Sequence, residues 1–125
     1  MSKEPPEETE FREQPKETFN DDSEERVYGL LKKDGTKIGE SKFTSSRFKG
    51  QAWYLRDICI LPEFERQGYG SQLLELTCSQ MWIIKRQDIV LTVPGETLAP
   101  DGFDRYEWYK RHGFSGPRDF MVRTP

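Results

Sequence analysis

At 125 residues, 34% apolar and 33% charged, the chain has room for one domain with a modest core and is too apolar to be disordered throughout. Cys59 and Cys78 form no C-x-x-C arrangement and His112 is the single histidine, which excludes a structural zinc site and leaves both thiols as expected core residues. The net charge of −3 is unevenly spread: residues 1–26 hold 4 Lys/Arg against 10 Asp/Glu, and residues 27–125 hold 15 against 12. The later part is therefore mildly basic, too weakly to argue for nucleic acid, yet suited to an anionic coenzyme.

Residues 1–26 contain Pro5, Pro6 and Pro15, many acids, and only Phe11 and Phe19 as large apolar groups. This composition predicts an acidic, disordered arm outside the core, with docking of the two phenylalanines as the alternative. Asp21-Asp22-Ser23 could cap a short helical turn. No apolar h-region opens the chain, and no segment approaches the ~20 residues that span a bilayer, so neither secretion nor membrane insertion is expected and the protein reads as cytoplasmic.

The pattern changes at Val27, where a domain spanning residues 27–125 is expected to begin. Val27–Leu31 reads as a strand, Lys32–Thr36 as a turn with the Asp-Gly hairpin signal, and Lys37–Thr44 as the antiparallel partner. Ser45–Gly50 is a second turn, and Trp53–Leu61 a third strand that Pro62 ends. Tyr69, Leu73, Leu76, Thr77, Gln80, Met81 and Ile84 then recur at helical spacing, with Leu74, Cys78 and Trp82 widening the apolar face and Lys85 and Arg86 in the last turn. Asp88–Val93 is a new strand, Glu96–Gly102 a polar loop, and Phe103, Tyr106, Trp108 and Tyr109 mark a short second helix closed by Gly113. Asp119–Arg123 reads as a last strand.

Arg66-Gln67-Gly68-Tyr69-Gly70-Ser71 stands between the third strand and the first helix. A glycine-flanked helix N-terminus offers unpaired N–H groups and the positive end of the dipole, a ready site for phosphate. A Rossmann fingerprint needs a third glycine where Leu73 stands, and a Walker loop needs Gly-Lys-Ser/Thr where Gly70 is followed by Ser71-Gln72. Dinucleotide redox chemistry and nucleotide hydrolysis are both disfavoured, and a loop suited to one pyrophosphate remains.

Strand, P-E-F, x-R-Q-G-Y-G-S-x-L-L, then strand, loop and a helix ending Y-K-x-x-G-F together resemble the GNAT superfamily of acetyl-CoA-dependent N-acetyltransferases over about residues 27–123. A looser similarity, carried by R-Q-G-x-G-S-Q-L and the E-aromatic-Tyr before the terminal turn, is to very small phage-type members, including an anti-CRISPR acetyltransferase that modifies a lysine of its target nuclease. The resemblance implies an α/β fold with a mixed, mostly antiparallel twisted sheet and helices on its faces. It implies that Ile58, Cys59 and Ile60 lie where strands splay and offer backbone groups to the pantetheine arm of acetyl-CoA, the co-substrate, with no metal involved. Arg66, Gln67, Gly68, Tyr69, Gly70 and Ser71 would hold its pyrophosphate. Tyr109 would donate a proton to the departing thiolate, and the backbone N–H near Cys59 would polarise the thioester carbonyl.

Two features depart from the pattern. Glu65 stands where the motif has Gln or Arg, and no carboxylate stands at the family's usual base positions, which hold Tyr54, Arg56 and Thr92. Alternation sets Asp57 on the face opposite Arg56 and Ile58, and Glu96, Asp101 and Asp104 are left to act through water. Three readings follow: acetyl transfer to an amine, a coenzyme-A-binding module without turnover, or an interaction protein working through its acidic arm. The short Lys32–Lys37 connection predicts an open acceptor side that favours a protein lysine or N-terminus, and that a homodimer could close.

Overall fold

Asp34-Gly35 delivers the hairpin that its pattern predicts. The Gly35 N–H reaches the Lys32 carbonyl at 2.9 Å, Gly35 takes the left-handed φ of 93°, and Thr36 N–H is held by the Asp34 carboxylate at 2.9 Å. The strands on either side, β2 (Arg26–Lys32) and β3 (Lys37–Ser46), start a meander that continues into β4 (Ala52–Ile60). The computed structural model describes residues 9–14, 25–46, 52–93 and 104–125. The acidic capping segment Asp21–Ser23, Phe19, the tip of the second turn and the loop with Glu96 and Asp101 lie outside these.

Among the described residues, six strands form one sheet in chain order. A short 3-10 turn (Pro62–Phe64) and helix α1 (Tyr69–Ile84) connect β4 to β5 (Asp88–Leu91). This is the one parallel pairing, so the connection is a crossover. Helix α2 (Arg105–Arg111) and β6 (Met121–Arg123) complete the sheet antiparallel to β5. The result is the expected mixed, mostly antiparallel α/β architecture.

The core lies between the sheet and α1. Leu73, Leu74, Cys78 and Met81 are fully buried against Leu30, Ile38, Phe43, Leu55 and Ile58. One polar pair crosses this layer: Ser41 Oγ and Thr77 Oγ1 lie 2.8 Å apart, and Thr77 also donates to the Leu73 carbonyl at 2.6 Å. The helix stops at Ile84, so Lys85 and Arg86 follow it rather than occupy its last turn. Cys59 departs from expectation: it is exposed, because its strand position faces away from α1, whereas Cys78 is core.

The expected disordered arm is overturned in part. Thr9–Gln14 forms an edge strand, β1, antiparallel to β2. Phe11 stacks on Tyr28 with ring centroids 4.9 Å apart and planes 9° from parallel, and Tyr28 stacks in turn on Phe43. Gln72 on α1 donates to Thr9 Oγ1 at 2.8 Å. The aromatic face and the open edge of β2 together outweigh the strand's polar composition.

Two local features shape β4. Lys42 pairs with Asp57 and Phe43 with Leu55, so Arg56 is an extra, bulged residue. The bulge sets Asp57 on the exposed face with Tyr54, opposite the buried Leu55 and Ile58, so the expected opposition to Ile58 holds and only the opposition to Arg56 is lost. Gly39 meets β4 at close range: a Cβ there would stand 2.6 Å from the Cys59 carbonyl oxygen. Any side chain at Gly39 would push the end of β4 away.

Phe11→Ala is expected to lower the unfolding free energy by about 1–3 kcal/mol, the loss of a half-buried stacked ring. Urea titration checks it; an unchanged midpoint would mean that β1 adds nothing to the fold.

Candidate active site

Pro62 ends β4 and the chain turns sharply before α1. Arg66 takes φ 64° and Gly68, the N-cap, φ 89°, so the loop enters the helix through left-handed conformations that glycine favours. No side chain caps α1 and no acid occupies its first turn. The first intrahelical bond of the turn runs from Gln72 N–H to the Gly68 carbonyl at 3.2 Å. The N–H groups of Tyr69, Gly70 and Ser71 therefore face outward at the positive end of the dipole. The Tyr69 ring is core, 1% exposed and edge-on to Phe64, so this residue has only its backbone to offer. Arg66, Gln67 and Glu65 are exposed; Gln67 Nε2 donates to the Glu63 carbonyl at 3.2 Å.

Next to this loop the sheet opens. Parallel pairing joins Ala52, Trp53 and Tyr54 to Asp88, Ile89 and Val90, and no β4–β5 pairing follows Tyr54. The antiparallel ladder decides which peptide groups face the gap. Leu61 N–H bonds to the Ile38 carbonyl on β3, so Cys59, two residues back, also turns its backbone toward β3, where its carbonyl abuts Gly39. The groups of Ile58 and Ile60 point the other way, into the gap. Of the three residues named from the sequence, Ile58 and Ile60 turn their N–H groups to the gap and Cys59 does not, so the outward N–H groups near Cys59 are those of its two neighbours.

Helix α2 brings its residues to the same place. Asp104 caps it, accepting from the N–H groups of Tyr106 at 3.0 Å and Glu107 at 3.3 Å, and this structural role removes Asp104 from the candidate bases. Gly113, at φ 88°, closes the helix as expected. Trp108 lies against the start of α1, 3.5 Å from where a Gly70 Cβ would be, and Ile60 lies 3.8 Å from the same point. Tyr109 is buried and edge-on to both Trp108 and Phe114. Burial pushes its phenol up to about 12; Arg105 pulls it down, while Asp57 and Cys78 push it up. Asp57 is thus within electrostatic reach of Tyr109. Burial also raises the Cys59 thiol, followed by the Asp57 and Glu40 charges.

The family model of the acetyltransferase (GNAT) domain matches residues 24–116. The chain belongs to the GNAT acetyltransferases. No curated protein matches it. Its fold is similar to that of the IAA acetyltransferase from Bacillus cereus, at 14% identity and a TM-score of 0.68 over 92% of this chain and 96% of that one. A GNAT family acetyltransferase from Elizabethkingia anophelis with acetyl-CoA bound gives 14% identity and 0.67 over 91% and 95%. The PaiA N-acetyltransferase from Thermoplasma acidophilum in complex with coenzyme A gives 18% and 0.61 over 81% of this chain and 61% of that one. The chain spans 61–66% of the length of four similar structures, this one among them, and nearly the whole of the first two.

Ile60 from the β4 end and Trp108 from α2 thus both approach Gly70 at the α1 start. One participant was not foreseen. His112, at the end of α2, reaches across to α1, with Nε2 3.0 Å from Ser71 Oγ and Nδ1 3.3 Å from Glu75 Oε2. The sequence carries no signal for a pairing across 41 residues beyond the histidine itself. Among the described residues, no group of three or more His, Cys, Asp and Glu side chains could hold a metal ion, and no helix is long and apolar enough to cross a membrane.

The Tyr109 phenol links stability to alkaline pH. Below pH ~10 it is neutral in both states; between ~10 and ~12 the unfolded chain ionises first, so stability falls as pH rises through that window. Tyr109→Phe should lose less stability than the unaltered chain between pH 8 and 11, by on the order of 1 kcal/mol. Urea midpoints at the two pH values measure the difference, and equal losses would contradict it.

Proposed function

We propose that this GNAT acetyltransferase transfers an acetyl group from acetyl-CoA to an amine, with a protein lysine or N-terminus as the acceptor. One observation carries the reading: the uncapped start of α1, the outward peptide groups of Ile58 and Ile60, and the Tyr109 helix converge beside the gap between β4 and β5. The outward N–H groups of Tyr69, Gly70 and Ser71 suit a pyrophosphate, with Gly68 allowing the turn and Arg66 and Gln67 flanking it. Glu65 is exposed and no acid lies in the first helical turn, so the helix itself sets no charge against that ligand. Acetyl-CoA supplies the activated acetyl group.

The chain's own residues would do the rest. An N–H at Ile58 or Ile60 faces the gap where it can donate to the thioester carbonyl. Tyr109, kept protonated by burial, gives its proton to the leaving thiolate. Asp57, carried onto the Tyr54 face by the bulge, is exposed and accepts the amine's proton, directly or through water. Only a tight turn joins β2 to β3, so no helix from that connection covers the acceptor side. The similarity to small members that modify a lysine of a protein supports a macromolecular acceptor, and a second copy of the chain could cover the same open face.

Gly70→Asp, which sets a carboxylate at the α1 start, should weaken coenzyme A binding by calorimetry at least ~10-fold. Tyr109→Phe should lower kcat ~100-fold while leaving coenzyme affinity unchanged. Asp57→Asn should lower kcat/KM most at neutral pH and less as rising pH deprotonates the free amine. Coenzyme A binding without thiol release on any amine or peptide would leave a binding module, and no binding at all would remove the coenzyme reading.

A further inference from the structure

His112 stands at the C-cap of α2, three residues beyond Tyr109, and its side chain is 18% exposed. It belongs to a chain of four side chains across three elements. Arg123 on β6 donates to Glu75 on α1 through two bonds, Nη1 to Oε2 at 2.9 Å and Nη2 to Oε1 at 3.0 Å. Glu75 Oε2 also meets His112 Nδ1, and His112 Nε2 meets Ser71 Oγ. Burial pushes the Glu75 carboxyl up, but the Arg123 bonds and charge, joined by the His112 contact, hold it below the ordinary carboxylate range. An ionised carboxylate only accepts, so Nδ1 is the donor to Glu75, and Nε2 shares a hydrogen bond with the Ser71 hydroxyl. Both imidazole nitrogens are thereby engaged on α1, one near its start and one a turn later.

From this geometry we infer that His112 is a positioning residue for the Tyr109 phenol, locking the rotation of α2 on the helix whose first turn faces the coenzyme. The inference rests on the acetyl-transfer reading only for its effect on turnover. The Tyr109 carbonyl accepts from the N–H groups of His112 at 3.0 Å and Phe114 at 3.1 Å, so the Tyr109 backbone is tied directly to the anchored residue. The Trp108 ring packs between, 4.9 Å from the imidazole and 5.1 Å from the Tyr109 ring. Helix α2 has only two turns, too short to hold its own orientation without tertiary anchors. Asp104 at one end fixes the start of the helix, and His112 fixes its end against α1.

The test uses the full chain carrying 3-fluorotyrosine, with the Tyr109 fluorine resonance assigned by its loss in Tyr109→Phe, alongside acetyl-transfer kinetics. His112→Ala is expected to shift or broaden the Tyr109 resonance in the free protein and to lower kcat ~10–100-fold with KM for acetyl-CoA nearly unchanged. His112→Gln, whose amide reaches the Nε2 position, should restore most of the resonance and most of kcat. In a Tyr109→Phe background, His112→Ala should cost no further kcat, because the group it positions is gone. An unmoved Tyr109 resonance in a folded His112→Ala protein, or kcat losses that multiply in the double variant, would overturn the inference. An unaltered chain that neither binds coenzyme A nor transfers acetyl would instead overturn the acetyl-transfer reading, and the resonance comparison would still decide the role of His112.

Discussion

Strand β4 has a partner on both edges for only three residues. After Tyr54 it keeps β3 and loses β5, and buried peptide groups without partners are costly to a fold. The site follows from this one shortage. The peptide groups of Ile58 and Ile60 face a gap instead of a strand, and the crossover that leaves β4 at that end carries a helix that no side chain caps. Two sets of unpaired backbone donors are therefore set side by side by the same topology, without a specialised side chain in either set.

The bulge at Arg56 and the close approach at Gly39 act on that same stretch. Arg56 leaves the ladder and forms an ion pair with Glu25, a nearly buried carboxylate at the start of β2. Its departure reverses the facing of Asp57 relative to Leu55. Gly39 permits the Cys59 carbonyl to lie tight against β3. The end of β4 is held on one side so firmly that the opening on its other side is a fixed feature and not a frayed edge. Helix α2, anchored at Asp104 and His112, lies against the start of α1 through Trp108.

Much of this was legible in the sequence. Alternation and the Asp34-Gly35 turn marked β2 and β3, Pro62 marked the stop of β4, and the spacing from Tyr69 to Ile84 marked α1, because each of these is decided by local chemistry. The failures share a cause in tertiary structure. Thr9–Gln14 has Glu10, Arg12 and Glu13 around a single phenylalanine, and becomes a strand only because the edge of β2 and the Tyr28 ring are available to it. The bulge at Arg56 breaks the period of two on which the facing of Asp57 was judged. Cys59 followed the burial habit of its residue type, whereas its actual exposure follows from its strand register. Nothing local to His112 could name Ser71 and Glu75 as its partners.

The edge strand also draws part of the acidic N-terminal sequence, Glu10 and Glu13, into the sheet. Gln14 is paired with Val27 across β1 and β2, and Val27 with Lys42 on β3. Lys42 is paired in turn with Asp57, so this row crosses β4 three residues before the strand ends at Ile60, a distance of ~10 Å along the strand. The carboxylates of β1 are matched locally, Glu10 by Arg12 and Glu13 by Arg26, so the edge strand brings acidic sequence into the sheet while setting little net charge toward the start of α1.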